Sequence, residues 1–175
     1  MAEIFVTLGT DCHPFDRLVR WIDEWLEAGP RGLRVLVQHG STAAPRTADG
    51  IAYLGYLEMR GAIDEAAVVV SHGGPGTIML ALSAGKRPIV VPRMSKLGEH
   101  VDDHQPAFVR RLATEGAILP ADTQQAFATL LDAAIEDRNL VSARERPLDS
   151  SAAVANFAEA VDALVAPRGA GKGCG

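Results

Sequence analysis

The chain reads as one α/β domain, a parallel sheet of about six strands held between two layers of helices. Three observations predict this. Apolar runs of strand length recur at residues 4–8, 33–37, 51–54, 67–70, 88–91 and 117–119. Helical patterns separate most of them. The runs are continuously apolar instead of alternating, which marks strands buried on both faces, as happens when helices cross over between parallel strands.

The elements follow in order. After the first run and the pair Gly9-Thr10, Phe15, Leu18, Val19, Ile22 and Leu26 share one helical face, and Pro14 suits a first helical position. Trp21 and Trp25, four apart on that helix, read as core or interface residues. The second run exits through Gln38-His39-Gly40-Ser41. The fourth leads into His72-Gly73-Gly74-Pro75-Gly76-Thr77 and a short helix closed by Gly85, and the fifth ends at Pro92-Arg93. Phe108, Leu112 and Ala113 mark a helix stopped by Gly116. Asp122 with Gln125 resembles a capping box ahead of Phe127, Leu130, Leu131, Ala134 and Ile135. A last amphipathic helix carries Val154, Phe157, Val161 and Leu164. The domain is expected to span residues 1–166, with a flexible glycine-rich tail at 167–175 whose GAGKGCG lacks the spacing of a Walker motif.

At 175 residues the chain is long enough for one core, burying about 70% of the surface its unfolded form exposes. A hydrophobic content of 47% and a net charge of −5 fit a globular protein, and the scattered, outnumbered Lys and Arg exclude a nucleic-acid surface. No apolar run approaches the ~20 residues that span a bilayer, and no signal peptide precedes Ile4. The expected address is therefore the cytoplasm. Cys12 and Cys174 suggest neither a disulfide framework nor a metal cluster.

Parallel connectivity delivers every strand's following loop to one sheet edge, where ligands collect. Gly9-Thr10, Gln38–Ser41, His72–Thr77 and Arg93 onward all fall there. In His72–Thr77 three glycines allow close backbone approach, and a helix start presents unpaired N–H groups with about half a unit of positive charge. A phosphate or pyrophosphate suits such a place. The plain alternative is a tight strand-to-helix turn.

The segments FVTLGT (5–10), VSHGGPGTI (70–78), ALSAGKRPIVVPR (81–93) and EHVDDHQ (99–105) resemble, in order and spacing, the C-terminal, sugar-nucleotide-binding half of GT-B glycosyltransferases of family 28. The likeness is greatest to short subunits of split glycosyltransferases of exopolysaccharide or lipid-linked oligosaccharide assembly. It implies a Rossmann-like domain that binds a UDP-sugar and needs no metal or other cofactor. It also implies a membrane-associated partner subunit that brings a lipid-linked acceptor, with this chain peripheral at the inner membrane face. Length agrees, because a complete enzyme of that architecture needs two such halves.

Donors for the departing diphosphate would be the N–H groups of Gly74, Gly76 and Thr77, the Thr77 hydroxyl and the Gly9-Thr10 turn, with Gly73 in the same loop. His72 falls on the family's His-x-Gly motif and would donate to a phosphate oxygen, or would only cap the strand end. Glu99, Asp103, His104 and Gln105 are assigned to the sugar or its β-phosphate, one of Asp102 and Asp103 serving also as N-cap. Gln38-His39-Gly40 would line the base side, and Arg93 would approach the phosphates or pair with Glu99. His13 is a candidate general base, the alternative being a base from the partner. Leu80 stands where many relatives carry a ribose-binding carboxylate. That departure keeps open a second class of function, a non-catalytic nucleotide-sugar-binding or scaffolding subunit.

Metal chemistry is not expected. His100 and His104 are four apart, but Val101 breaks the zinc-protease pattern, no third ligand is evident and no Asp-x-Asp occurs. A nicotinamide enzyme is disfavoured because the glycines follow the fourth strand and do not match Gly-x-Gly-x-x-Gly.

Overall fold

The computed structural model describes residues 3–29 and 32–143. Strands β1 (Ile4–Thr7), β2 (Val35–Gln38), β3 (Asp49–Ile51), β4 (Val68–His72), β5 (Ile89–Val91) and β6 (Leu119–Pro120) alternate, except between β2 and β3, with helices α1 (Asp16–Glu27), α2 (Tyr56–Glu65), α3 (Pro75–Ser83), α4 (His104–Thr114) and α5 (Gln124–Glu136). The strands form one six-stranded sheet in the order β3-β2-β1-β4-β5-β6. Every pairing within it is parallel. This is the Rossmann-like α/β architecture that the apolar runs predict. The proposed last helix at Val154–Leu164, the tail and Cys174 lie outside the described residues.

Burial on both faces explains the continuous apolar runs. Ile4, Val6, Val68, Val70, Ile89 and Val91 point into one core with α1 and α5, whereas Phe5 and Val69 pack with Ile63 of α2 and Ala81 of α3. Val90 meets Ile78, Val109 and Ile118 on that second face. Trp21 stacks at 5.9 Å from Phe127, and the Trp25 indole N–H donates to Asp132. Both tryptophans are therefore core residues, as their helical positions predict; burying a side chain of this kind contributes about 1.5–3 kcal/mol.

Several local expectations shift. The third run becomes a strand only at Asp49–Ile51, exposed at the sheet edge, because Leu54 instead packs against the core beside α2. Helix α1 begins at Asp16, not at Pro14. Thr123, rather than Asp122, is the N-cap of α5 and accepts from the Ala126 N–H at 3.2 Å. Helix α2 escapes the apolar pattern, since Ile63 is its buried residue; its start is fixed by the Gly55 N–H donating to Glu58 Oε2. Among the described residues no helix is long and apolar enough to cross a membrane.

The strand order places the site. Strands β1 and β4 are neighbours, yet the chain leaves them toward helices on opposite faces, and at such a seam the loops diverge and open a crevice.

Candidate functional site

The crevice is built on His72. Its Nδ1 faces the Thr7 carbonyl at 3.4 Å; a carbonyl only accepts, so Nδ1 carries the proton and Nε2 the lone pair. The ring slots between two glycines. A Cβ on Gly9 would stand 2.7 Å from Nε2, and one on Gly74 would stand 2.2 Å away, so neither position tolerates a side chain with the imidazole in place. Gly9 also has φ +83°, which favours glycine by itself. Burial, followed by the charge of Arg93, lowers the His72 pKa from 6.5 to about 4. The imidazole is therefore neutral near pH 7.

Helix α3 starts immediately beyond. Gly74 is its N-cap without a side-chain cap, and Pro75 occupies the first turn, where a missing N–H costs nothing. The exposed Gly76 and the half-buried Thr77 follow at the helix start, and a Cβ at Gly76 would meet nothing within 4 Å. This end of the helix can accept an anion. Thr10 is exposed across the seam.

Other predicted ligands are committed to the scaffold. The Gln38 side chain is fully buried and saturated: Oε1 accepts from the Thr7 hydroxyl at 2.7 Å and the Gly9 N–H at 3.3 Å, while Nε2 donates to the Gly9 and Ala52 carbonyls. It shapes the Gly9 turn. Gln105 does the same opposite, its Oε1 accepting from the N–H groups of Gly73 and Arg93, both at 3.1 Å. Two N–H donors fix the orientation of that amide and turn its Nε2 away from them. The Gly73 N–H is thereby occupied.

Arg93 is 1% exposed and donates to the carbonyls of Leu8, His13 and Glu99. It does not point out at a phosphate. No carboxylate is within salt-bridge distance of it among the described pairs, its Nε lacks a partner, and the Phe15 ring lies 4.8 Å from its guanidinium. Burial lowers its pKa, with Asp11 and Glu99 opposing the shift. The result is a buried positive charge beneath the crevice.

Glu99, expected at the sugar, is buried at 4% exposure and forms a two-pronged pair with Arg17, both contacts 2.8 Å. It also accepts from the Met94 N–H. Arg17 is the unforeseen partner, lying over the Phe15 and Trp21 rings. Asp103 takes the N-cap position of α4 but gives its carboxylate to the Ser95 N–H and hydroxyl, whose hydrogen bonds lower its pKa. The helix-start bond is supplied by Asp102, which accepts from the His104 N–H at 3.1 Å.

His13 lies at the same rim, a third exposed, its Nδ1–H donating to Asp11 Oδ1 at 2.6 Å and leaving the lone pair on Nε2. Burial raises the Asp11 pKa, but hydrogen bonds from His13 and the charge of Arg93 outweigh it and the carboxyl ends below its usual range. His104 is exposed beside Asp102. A cavity of about 340 Å³ lies at the opposite strand ends, lined by Glu3, Ala67, Lys86 and Arg138, remote from these groups.

The model of the glycosyltransferase family 28 C-terminal domain matches residues 3–164. Among solved structures, MurG of Acinetobacter baumannii is similar at 21% identity and a TM-score of 0.55, over 81% of this chain and 43% of that one. The calicheamicin glycosyltransferase CalG4 is similar at 18% identity and a TM-score of 0.58, over 94% and 43%. The UDP-GlcNAc 2-epimerase of Methanocaldococcus jannaschii, solved with UDP-GlcNAc and UDP, gives 12% identity and a TM-score of 0.54, over 90% and 45%. The chain thus spans less than half the length of these structures, which share its fold. Comparison with curated proteins finds no match. With the Rossmann-like sheet, the glycine turn at its seam and a family match over nearly the whole sequence, the chain belongs to the glycosyltransferase family 28 C-terminal domain.

Proposed function

We propose that the chain is the donor-binding catalytic subunit of an inverting, metal-independent glycosyltransferase. It moves a sugar from a UDP-sugar to a lipid-linked acceptor in polysaccharide biosynthesis, together with a membrane-associated partner subunit that supplies the acceptor side. One observation carries this reading: the uncapped start of α3 opens at the β1/β4 seam above a buried guanidinium. Family membership supports the reaction class.

The chemistry follows from charge. As the anomeric C–O bond breaks, its electron pair goes to the diphosphate, and donors already aimed at that oxygen stabilise it. Gly76 and Thr77 N–H groups and the Thr77 hydroxyl serve this purpose, with Arg93 contributing at a distance. His72 enters neutral. An arriving diphosphate offsets the charge of Arg93 and favours a proton on Nε2, which then donates to a phosphate oxygen; binding therefore takes up a proton. The acceptor hydroxyl bonds to the anomeric carbon as its proton goes to a base. His13 suits that role because Asp11 holds its tautomer with Nε2 free. His104 and the free Nε2 of Gln105 face the sugar.

Calorimetric titration of UDP and UDP-glucose in the presence of a chelator tests the reading. Binding in EDTA is expected, with net proton uptake seen as a dependence of the heat on buffer ionisation. Gly76→Asp should weaken UDP at least tenfold while leaving the fold intact, because its side chain enters open space and places a negative charge on the anion's seat. Absence of UDP binding, or wild-type affinity in Gly76→Asp, overturns the proposal.

Leu80 favours the second reading, a non-catalytic nucleotide-sugar-binding subunit, since this partly buried side chain packs against the core cluster that holds Phe5 and Ile63. Sugar transfer that survives both His72→Ala and Gln105→Ala would select it.

A further inference from the structure

The large apolar side chains that the described residues leave in solvent share one edge of the sheet. Ile51 and Tyr53 end β3 and enter its loop, Tyr56 and Leu57 open α2, Met79 sits in the first half of α3, and Leu97 and Val101 precede α4. All of these positions follow strands and stand at the strand ends that carry the candidate site. At the opposite edge the returning loops, such as Gly85–Pro88 and Gly116–Ile118, expose no large apolar side chain among the described residues. Single exposed apolar residues are ordinary, but a set confined to one edge marks a surface that something covers.

The set also brackets the crevice. In the strand order β3-β2-β1-β4-β5-β6, Tyr53, Tyr56 and Leu57 lie on the β3 side of the β1/β4 seam and Leu97 and Val101 on the β5 side. The two most exposed, Leu57 at 80% and Val101 at 74%, stand one on each flank. We propose that this edge is the docking face for a different polypeptide, one that presents apolar side chains bordered by Lys and Arg and bridges the crevice from the start of α2 to the loop before α4.

Charge decides between the occupants such a face admits. Asp49 and Glu58 are exposed beside the first group, and Asp102 and Asp103 beside the second. The nearby cations Arg46 and Arg60 are engaged by Asp23, Glu27 and Asp64 of this chain. Lys96 is left facing the acids. An anionic bilayer surface is repelled by a border of this sign. A second copy docked through the same face would set its carboxylates against their own equivalents across a twofold axis. A polypeptide with an apolar centre and a basic border answers both features, the centre supplying affinity and the border register and encounter rate.

A guest resting on both flanks covers the start of α3, so water is excluded where Gly76 and Thr77 present their N–H groups. Identifying that guest as the acceptor-side subunit rests on the transferase reading; the docking face itself rests on the surface alone.

A photo-crosslinking amino acid placed at Leu57, at Val101 and, as a control, at Glu115 beyond the far end of α4 tests the face in the cells that make the full chain. Adducts to one polypeptide of different sequence are expected at the first two positions and not at the third. Identified by mass spectrometry and purified, that polypeptide should bind the parent chain, more slowly as salt rises. Leu57→Asp and Val101→Asp should each weaken it by about tenfold or more. Both side chains are exposed, so the variants keep the fold, as circular dichroism would verify, and their UDP affinity should equal the parent's. Four results overturn the proposal: no adduct at either flank, adducts only within the chain or between its copies, a purified partner indifferent to both variants, and binding of the chain alone to phosphatidylglycerol vesicles that either variant abolishes. Loss of UDP binding with the adducts intact removes the transferase reading and leaves the docking face; UDP binding without adducts does the reverse.

Discussion

The turn at His72–Thr77 and the segment from Arg93 to Gln105 carry similar kinds of residues at the same sheet edge, and they use them in opposite ways. The first leaves backbone polarity open: Gly74 caps α3 without a side chain, and Gly76 borders empty space. The second closes on itself, with Arg93 on three carbonyls, Glu99 on Arg17, Asp103 on Ser95 and Gln105 on two backbone N–H groups. Side-chain chemistry that looks suited to a ligand serves here to hold the frame, and the proposed anion seat is made of main chain. Rigidity around a seat of fixed dipoles is what electrostatic stabilisation needs, since dipoles that need not reorient cost nothing when charge develops.

Breaking the closed segment should have the largest effect. Glu99→Ala leaves the largely buried Arg17 guanidinium without its carboxylate and frees the Met94 N–H, so a loss of about 3–5 kcal/mol is expected in urea unfolding. Retention of wild-type stability would place Glu99 outside the frame.

Acid acts next, through His72. Its folded pKa is depressed to about 4 from 6.5, so below pH 6.5 the unfolded chain binds the proton more readily. Stability is accordingly full above pH 6.5 and falls as pH drops toward 4, by up to about 3 kcal/mol from this residue. Unfolding free energies between pH 4 and 7 should be steeper for the parent than for His72→Ala.

A smaller effect sharpens the contrast within the turn itself. Gly74→Ala drives a methyl group into the His72 ring and should cost about 1–3 kcal/mol, but little in a His72→Ala background. Equal cost in both backgrounds would mean that the ring does not occupy the slot. The smallest change lies remote from both regions: Thr123→Ala removes the cap of α5 and should cost about 1 kcal/mol without altering UDP affinity.

What could be read in the sequence divides along similar lines. Continuous apolar runs at β1, β4 and β5 announced their strands because burial on both faces erases alternation, and Gly116 marked the end of α4 with a positive φ of 71°. Edge strand β3 and helix α2 were obscured because they are mostly exposed, so no periodicity was imposed on them. The structural roles of Glu99 and Gln38 escaped the sequence for a different reason. Their partners, Arg17 and the Gly9 turn, stand 82 and 29 residues away, and no local pattern reveals a pairing at that distance. Asp23 escaped for the same reason, buried under the N–H groups of Arg46 and Thr47. One signal was present and unused: Asp-x-His occurs at both 11–13 and 102–104, and each aspartate accepts from the backbone and ring of its own histidine.

Arg93 gathers the Leu8, His13 and Glu99 carbonyls onto one planar group. Two loops far apart in the chain are thereby pinned to a common rivet, and neither can swing out without pulling on the other. Opening either lip of the crevice therefore means breaking hydrogen bonds that also hold the other.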